Sequence, residues 1–362
     1  MLGKIFENFI TDKHLSLNTA KSYRNNLKRY AQYHNLSLQE LVDEADQEEE
    51  ARVREKRRKI IRRLIDYRNY MIKEDYSTNT IKLSLIQVKT FYRYNYISIP
   101  YIPPANLKEE YQIMYDDIPT VEHIRQALQS TTSKRNRALI LFMSSSGTAS
   151  NETLHLTIQD FINSTKDYHN SNNIQEVINQ LKTQKDIVPL WQLRRIKTDY
   201  QYYTCSSPES TREIIEYLTT RTNLQPNNQL FHIQPRTLMK TFQRINETNN
   251  WGNKGYYNFF RAHMLRKFHA SQIHDTQLAH ALQGRKPDSV TETYIKHNPE
   301  NLRKEYLKHL DKLTIEKIDY TPIMDKTEKE LRQQIQTLTE QQQRQDEQYR
   351  KIQELLQNKP NK

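Results

Sequence analysis

His263 and Arg266 stand three residues apart in Phe260-Arg261-Ala262-His263-Met264-Leu265-Arg266-Lys267-Phe268-His269-Ala270-Ser271. On a helix that spacing stacks the two side chains on one face, where an imidazole and a guanidinium can meet the same phosphate. Arg285 follows nineteen residues after Arg266, and Tyr294 nine residues after Arg285. A phenol, two guanidiniums and an imidazole from one short region suit attack on a phosphodiester. The Tyr294 oxygen would be the nucleophile, and the cations would hold the phosphate oxygens as charge develops. The rest of the chain must then bring a nucleic acid to these residues.

His-x-x-Arg, then Gly-Arg, then Tyr nine residues on, resembles the C-terminal signature of the tyrosine recombinase (phage integrase) family. His263-Met-Leu-Arg266-Lys-Phe-His-Ala-Ser and Leu-Gln-Gly284-Arg285-Lys-Pro-Asp-Ser-Val-Thr-Glu-Thr-Tyr294 look most like its archaeal integrases. The resemblance spans roughly residues 10–315, strongly over 259–294 and loosely elsewhere. It implies a two-domain clamp on double-stranded DNA and a covalent 3′-phosphotyrosyl intermediate.

Bulk properties agree with a polyanionic partner. The chain has 362 residues and a formal charge of +12, enough for two domains plus extensions and basic enough to favour nucleic acid. A single cysteine, Cys205, excludes an internal disulfide and points to a reducing, cytoplasmic setting. No apolar run is long enough to span a membrane, and no signal-peptide pattern opens the chain. Only five glycines occur, and neither G-x-x-x-x-G-K-[ST] nor G-x-G-x-x-G is present, so no bound nucleotide or other cofactor is expected. His269, His274 and His280 lack cysteine or carboxylate companions at ligand spacing. Surface roles, or roles behind the reacting groups, are expected of them rather than a metal site.

Ahead of the motif, residues 1–102 are expected to form a helical DNA-binding domain. Ser16-Leu-Asn-Thr19 is a helix start with Thr19 as candidate N-cap, followed by Tyr23, Leu27, Tyr30 and Tyr33 at helical spacing. An acidic run, Asp43 to Glu50, precedes a basic one from Arg52 to Arg63. Ile60, Ile61, Leu64 and Ile65 lend the basic run an apolar side, which predicts an amphipathic helix rather than a disordered arm. Ser77-Thr78-Asn79-Thr80 opens another helix. The basic faces read either as solvated surface or as phosphate-gripping surface. The resemblance favours the latter, because the family places a small helical core-binding domain here, with salt-sensitive binding as the consequence.

Four of the twelve prolines fall within 99–119, and a linker is assigned to 103–119. Thr120 is expected to cap the first helix of a second, catalytic domain over 120–315. Arg135 to Ser146 reads as a buried helix. The next stretch, Ser144-Ser145-Ser146-Gly147-Thr148-Ala149-Ser150-Asn151-Glu152, resembles the family's box around its first catalytic arginine. In that box Gly is followed by Arg two or three residues later and by Glu five residues later. Gly147 and Glu152 fit, but Ala149 and Ser150 occupy the arginine positions. Losing one such transition-state contact costs on the order of 10²–10³ in rate. The chain is then catalytically impaired, or a nearby cation (Arg135, Arg137 or Arg195) substitutes, or Arg285 supplies the second guanidinium.

Residues 164–183 read as a polar, exposed insertion with one short helix. Val188 to Cys205 has strand character, and a hairpin turning near Thr198-Asp199 puts Lys197 at its tip. By the resemblance, Lys197 is the candidate general acid for the leaving 5′-oxygen. Ser207-Pro208 opens a helix, residues 236–246 form another, and Trp251 to Gly255 make a loop leading into His263. Leu302, Tyr306, Leu307, Leu310 and Leu313 form a helical stripe, which in the family often packs on a neighbouring protomer. A heptad pattern over 325–357 (Leu331, Ile335, Leu338, Gln342, Gln345, Tyr349, Ile352, Leu356) reads as a C-terminal coiled coil or a solvated single helix.

The expected fold class is mainly α with a small β-sheet or hairpin in the C-terminal domain. It comprises a helical core-binding domain, a tyrosine-recombinase catalytic domain and a C-terminal helix that supports self-association on DNA. The expected catalytic set is Tyr294, Arg266, His263, Arg285 and Lys197. The other readings are a recombinase-derived DNA-binding protein without catalysis and a type IB topoisomerase-like nicking enzyme.

Overall fold

Aromatic and aliphatic residues at helical spacing build the first of two compact units, Met1–Gln112 and Ile113–Lys362. The computed structural model describes residues 2–109, 111–286 and 298–316. Tyr294 and the heptad segment 325–357 lie outside the described residues.

The first unit contains α1 (Gly3–Asp12), α2 (Leu17–His34), α3 (Leu38–Glu50), α4 (Lys59–Lys73) and α5 (Thr78–Tyr94). Phe6, Phe9, Tyr30, Tyr67, Phe91 and Tyr92 are fully buried between them. Their rings meet edge to face, as the quadrupoles of aromatic pairs prefer, for example Phe9 with Phe91 at 5.4 Å and Tyr30 with Tyr67 at 5.1 Å. The buried hydroxyls are matched: Tyr30 with Tyr92 at 3.1 Å and Tyr67 with Ser84 at 2.9 Å.

Two sequence expectations are corrected here. Ser16, not Thr19, caps α2. The Ser16 hydroxyl accepts from the Thr19 amide, because the last residue of extended backbone before the helix is the one whose side chain can reach the third helical amide. The basic run is also not one helix. Arg52 has positive φ, Glu55–Arg57 is a single 3₁₀ turn, and α4 starts only at Lys59. The preceding acidic helix organises this stretch. The Glu48 carboxylate accepts from the Lys59 amide, and Glu44 pairs with Lys59 and, in a two-pronged contact, with Arg63. Arg58 is buried against Glu49 and the Ser98 carbonyl. Part of the basic charge is therefore internal cross-linking rather than free surface. Residues 97–108 also belong to this unit: Ile97 is buried in its core, Arg68 donates to the Pro103 carbonyl, and Thr78 donates to the Lys108 carbonyl.

The second unit is built around α7 (Lys134–Ser146), preceded by α6 (Val121–Gln129) with the expected Thr120 cap. Every residue of α7 from Ala138 to Ser146 is buried. Then come α8 (Ser150–His155), α9 (Ile158–Ser164), α10 (Ile174–Lys182), the hairpin β1 (Leu190–Arg195) and β2 (Tyr200–Cys205), α11 (Pro208–Leu218) and α12 (Pro235–Thr248). The unit continues with β3 (Asn253–Lys254), β4 (Tyr257–Asn258), α13 (Ala262–Ile273), α14 (Thr276–Leu282), α15 (Pro299–Leu307) and α16 (Leu310–Leu313). The first hairpin is antiparallel, pairing Leu190 with Cys205 through to Arg195 with Tyr200. α7 packs against both α11 and α13.

Three further expectations change. The stretch 164–183 is not an exposed insertion: α10 buries Ile174, Val177, Ile178 and Leu181 in the core, a four-residue stripe diluted in the sequence by the polar turn before it. Trp251 to Gly255 is not a simple loop, since β3 and β4 form a second small hairpin. Leu302, Tyr306, Leu310 and Leu313 pack into the unit's own core, and Leu307 alone of that stripe is exposed. Cys205 is buried, as a packing thiol should be. Among the described residues no helix is long and apolar enough to cross a membrane, and no group of three or more metal-ligating side chains occurs.

Candidate functional site

The C-terminal end of α7 is buried, where a helix would normally strand its last carbonyls. Three side chains from three distant segments satisfy them in succession. Tyr306 donates to the Ser145 carbonyl at 3.0 Å, Thr204 to Ser146 at 2.9 Å, and Arg266 Nη1 to Gly147 at 2.7 Å. A guanidinium at this end also suits the helix dipole. Gly147 ends α7 with φ +65°, and a Cβ there would stand 2.5 Å from Nδ1 of His269, so both backbone and neighbour demand glycine.

Arg266 is the centre of this cluster. It is buried, and Nη2 donates to the Gln283 carbonyl at 2.7 Å while the Gln283 amide returns a bond to the Arg266 carbonyl at 2.8 Å. Its carboxylate neighbour is Glu152, 3.9 Å away. Glu152 is itself buried, accepts from the Ala149 amide at 2.8 Å and from Tyr202 at 3.2 Å, and faces Arg195 at 3.9 Å. Burial lowers the Arg266 pKa from its ordinary value and raises that of the Tyr202 phenol far above its own, so this phenol is neutral.

The Gln283-Gly284-Arg285 segment is positioned by the way α14 ends. Gly284 takes φ +60°, and the Arg285 amide reaches back to the His280 carbonyl at 2.9 Å. A Cβ on Gly284 would lie 2.4 Å from the Tyr202 ring. Its carbonyl accepts from Arg195 Nη1 at 2.9 Å. Arg285 is thereby turned outward and exposed, 2.8 Å from Nε2 of His280.

The expected residues therefore take different places. Arg266 points inward. His263, one turn earlier on α13, is exposed, and its pKa is lowered by partial burial, then by Lys267, Arg261, Arg266 and Arg285. Arg285 is exposed beyond the Gly284 turn. Lys197 sits on the exposed turn of the first hairpin, which an Arg194–Asp199 ion pair closes, and among the described residues it makes no hydrogen bond or ion pair. Ala149 and Ser150 form the cap and first residue of α8.

Of the cations weighed as substitutes for the absent arginine, Arg137 is held by Glu213 and Glu316, and Arg135 donates to the His232 carbonyl. Arg195 stands inside the Glu152–Gly284 network. His269 is not at the surface. It is fully buried, burial pushes its pKa down to about 3, and its Nδ1 lies 3.3 Å from the Gln283 amide. Sequence reasoning gave no role to Tyr202, Gln283 or Arg261. The first two act through contacts that no spacing encodes. Arg261 was in plain view two residues before His263, but its surroundings depend on the unforeseen β3–β4 hairpin.

No family model matches the chain, and no curated protein is similar to it. Solved structures are. A crystal structure of a lambda integrase dimer bound to a COC′ core site is 14% identical, covers 81% of this chain and 76% of that one, and has a TM-score of 0.51. A lambda integrase tetramer bound to a Holliday junction is 12% identical, covers 80% and 75%, and has a TM-score of 0.50. At such identities the likeness is one of architecture: the chain has the fold of the tyrosine recombinases.

Proposed function

We propose that this protein is a site-specific DNA recombinase that cuts and rejoins DNA through a 3′-phosphotyrosyl intermediate. The observation that carries the reading is the crowding of Arg195, His263, Arg266 and Arg285 at the ends of α7, α13 and α14, in a fold shared with lambda integrase. Glu152 offsets part of the repulsion these cations exert on one another, and a bound anion relieves the rest. In the proposed reaction the Tyr294 oxygen attacks phosphorus, the bond to the 5′-oxygen breaks, and Lys197 donates a proton to that oxygen. Arg266 and Arg285 hold the non-bridging oxygens. His263, whose lowered pKa favours the neutral imidazole, accepts the tyrosine proton. The phosphotyrosyl bond conserves the energy for rejoining.

The first unit acts as the core-binding clamp, with 1–102 as its domain and 103–119, whose start is anchored on that unit at Pro103 and Lys108, as the linker. Residues 120–315 carry the chemistry, and the 325–357 heptads support self-association. The setting is cytoplasmic. A second reading, a recombinase-derived protein that binds DNA without cutting it, is favoured by one observation: α8 begins with Ala149-Ser150, where the family's first arginine would stand.

The test is incubation of the full chain with nicked duplexes carrying candidate attachment sequences, in EDTA, followed by denaturing electrophoresis. A protein–DNA band formed by wild type and absent in Tyr294→Phe is expected. Tight binding with no covalent band on any site would sink the catalytic reading and leave the second.

A further inference from the structure

Ser150 lines a cleft of about 680 Å³ bounded by α8, α12, the β3–β4 hairpin and the start of α13. Arg236, Lys240, Arg261 and His263 also line it, and among the described residues it has no Asp or Glu in its wall. The neighbouring groove along the first hairpin is different, since Glu152, Asp160 and Glu300 balance Lys166 and Arg194 there. Within the acid-free cleft Arg261 is the most enclosed cation. It is half-buried, its guanidinium stacks 5.1 Å from the centroid of the Tyr257 ring, and its Nη1 donates to the Asn258 carbonyl. No carboxylate among the described residues pairs with it. Arg63, Arg137 and Arg303, guanidiniums in comparably protected settings, each face one: Glu44, Glu213 and Asp167. Burial accordingly lowers the Arg261 pKa, with only the Tyr257 phenol opposing it.

A desolvated guanidinium, held flat by an aromatic face and a single carbonyl, keeps donors free for a planar two-pronged contact with an anion. The cleft is too large for a lone ion and suits a stretch of phosphodiester backbone. We infer that Arg261 binds a DNA phosphate in this cleft beside His263, supplying from the start of α13 the guanidinium that position 150 lacks. This rests on the DNA-binding part of the function proposed above and deepens it. It also adds a candidate to the cations weighed from sequence.

The test measures binding of the full chain to a fluorescent 40-base-pair duplex at several salt concentrations, by anisotropy. Arg261→Ala is expected to weaken binding about tenfold at low salt and to reduce the log–log salt slope by about one. Arg261→Lys keeps the slope because it keeps the charge. Ser150→Arg placed on the Arg261→Ala background restores slope and affinity, an outcome that a merely structural role for Arg261 would not produce. Unchanged melting curves for the variants confirm that folding is intact. Equal affinities and slopes for wild type and Arg261→Ala would overturn the inference, as would failure of Arg261→Lys to keep the slope. The covalent-band assay is scored separately. Wild type that binds DNA without forming the band overturns the catalytic reading, while the slopes still decide the Arg261 contact. Wild type with no affinity for duplex overturns both.

Discussion

Two guanidiniums five residues apart, Arg261 and Arg266, belong to the same segment and face opposite circumstances. Arg266 gives two of its five N–H donors to backbone carbonyls and is backed by Glu152 in a network that runs on through Gln283, Tyr202 and Arg195. Arg261 has one carbonyl, one ring face and an acid-free cleft. The difference separates two uses of a cation. In the first, charge holds the ends of α7, α13 and α14 together and so places whatever projects from them. In the second, charge is left available for a partner from outside.

The largest effect should come from breaking the closed network. Arg266→Met removes the donors to Gly147 and Gln283 and leaves buried Glu152 with reduced compensation, which should cost about 3–5 kcal/mol of the second unit's stability. Denaturant titration followed by Trp191 fluorescence measures it. Arg261→Ala in the same assay should change stability by less than about 1 kcal/mol, because its position is half-open and singly bonded. Comparable losses for the two would erase the distinction.

Gly284→Ala comes next. Its Cβ would press into the Tyr202 ring, and its φ of +60° is one that alanine adopts reluctantly. A loss of about 2–3 kcal/mol is expected. On a Tyr202→Leu background, where the ring and its bond to Glu152 are already gone, Gly284→Ala should cost only the backbone part, which isolates it.

His269 gives a pH signature of the closed network. Its folded pKa of about 3 lies below the unfolded value near 6.5, so the unfolded chain binds the extra proton first. Stability contributed by neutral His269 is present above pH 6.5 and is lost as pH falls from there towards 3, by about 3 kcal/mol or more. Glu209 has the opposite sign. Burial raises its pKa to about 7 although it accepts from the Ile315 and Glu316 amides, so its protonated form is favoured in the fold, and stability falls as pH rises from about 4.5 to 7. Equilibrium unfolding at several pH values should show a flattened acid limb in His269→Leu and a flattened limb above pH 4.5 in Glu209→Gln.

The sequence exposed some of this and hid the rest for physical reasons. Helices α6, α7, α11 and α12 were readable because Thr120, Ser207-Pro208 and the apolar periodicities are local signals. The hairpin with Lys197 at its turn was readable from aromatic and β-branched residues on either side of Thr198-Asp199. Arg266 stood out by its register with His263. Its inward direction did not, because that is decided by the Gly147 carbonyl at the end of α7, more than a hundred residues earlier, and by the Gln283 carbonyl beyond α14. For His269 the sequence left a surface role and a role behind the reacting groups open, and the packing of Gly147 on its buried ring decides for the second. The basic run 52–63 has the periodicity of one helix, but its charge partners lie on α3, and periodicity cannot show that Glu44 and Glu48 hold the start of α4.

The smallest effect concerns the hairpin tip. Arg194 and Asp199 form an ion pair across the turn that carries Lys197, and both are exposed. Solvent screens such a pair, so Asp199→Asn should leave the melting curve of the second unit unchanged within error. The pair still restricts where the turn, and with it Lys197, can point, and Asp199 itself sits at φ +56°. A general acid must reach the leaving oxygen within hydrogen-bond distance, so loosening the turn should slow formation of the covalent complex by less than roughly tenfold. Lys197→Ala should slow it more, because it removes the proposed proton donor itself. Equal rates for Asp199→Asn and wild type, with Lys197→Ala impaired, would mean that DNA rather than the ion pair orders the turn. Equal rates for all three would remove Lys197 from the proposed reaction.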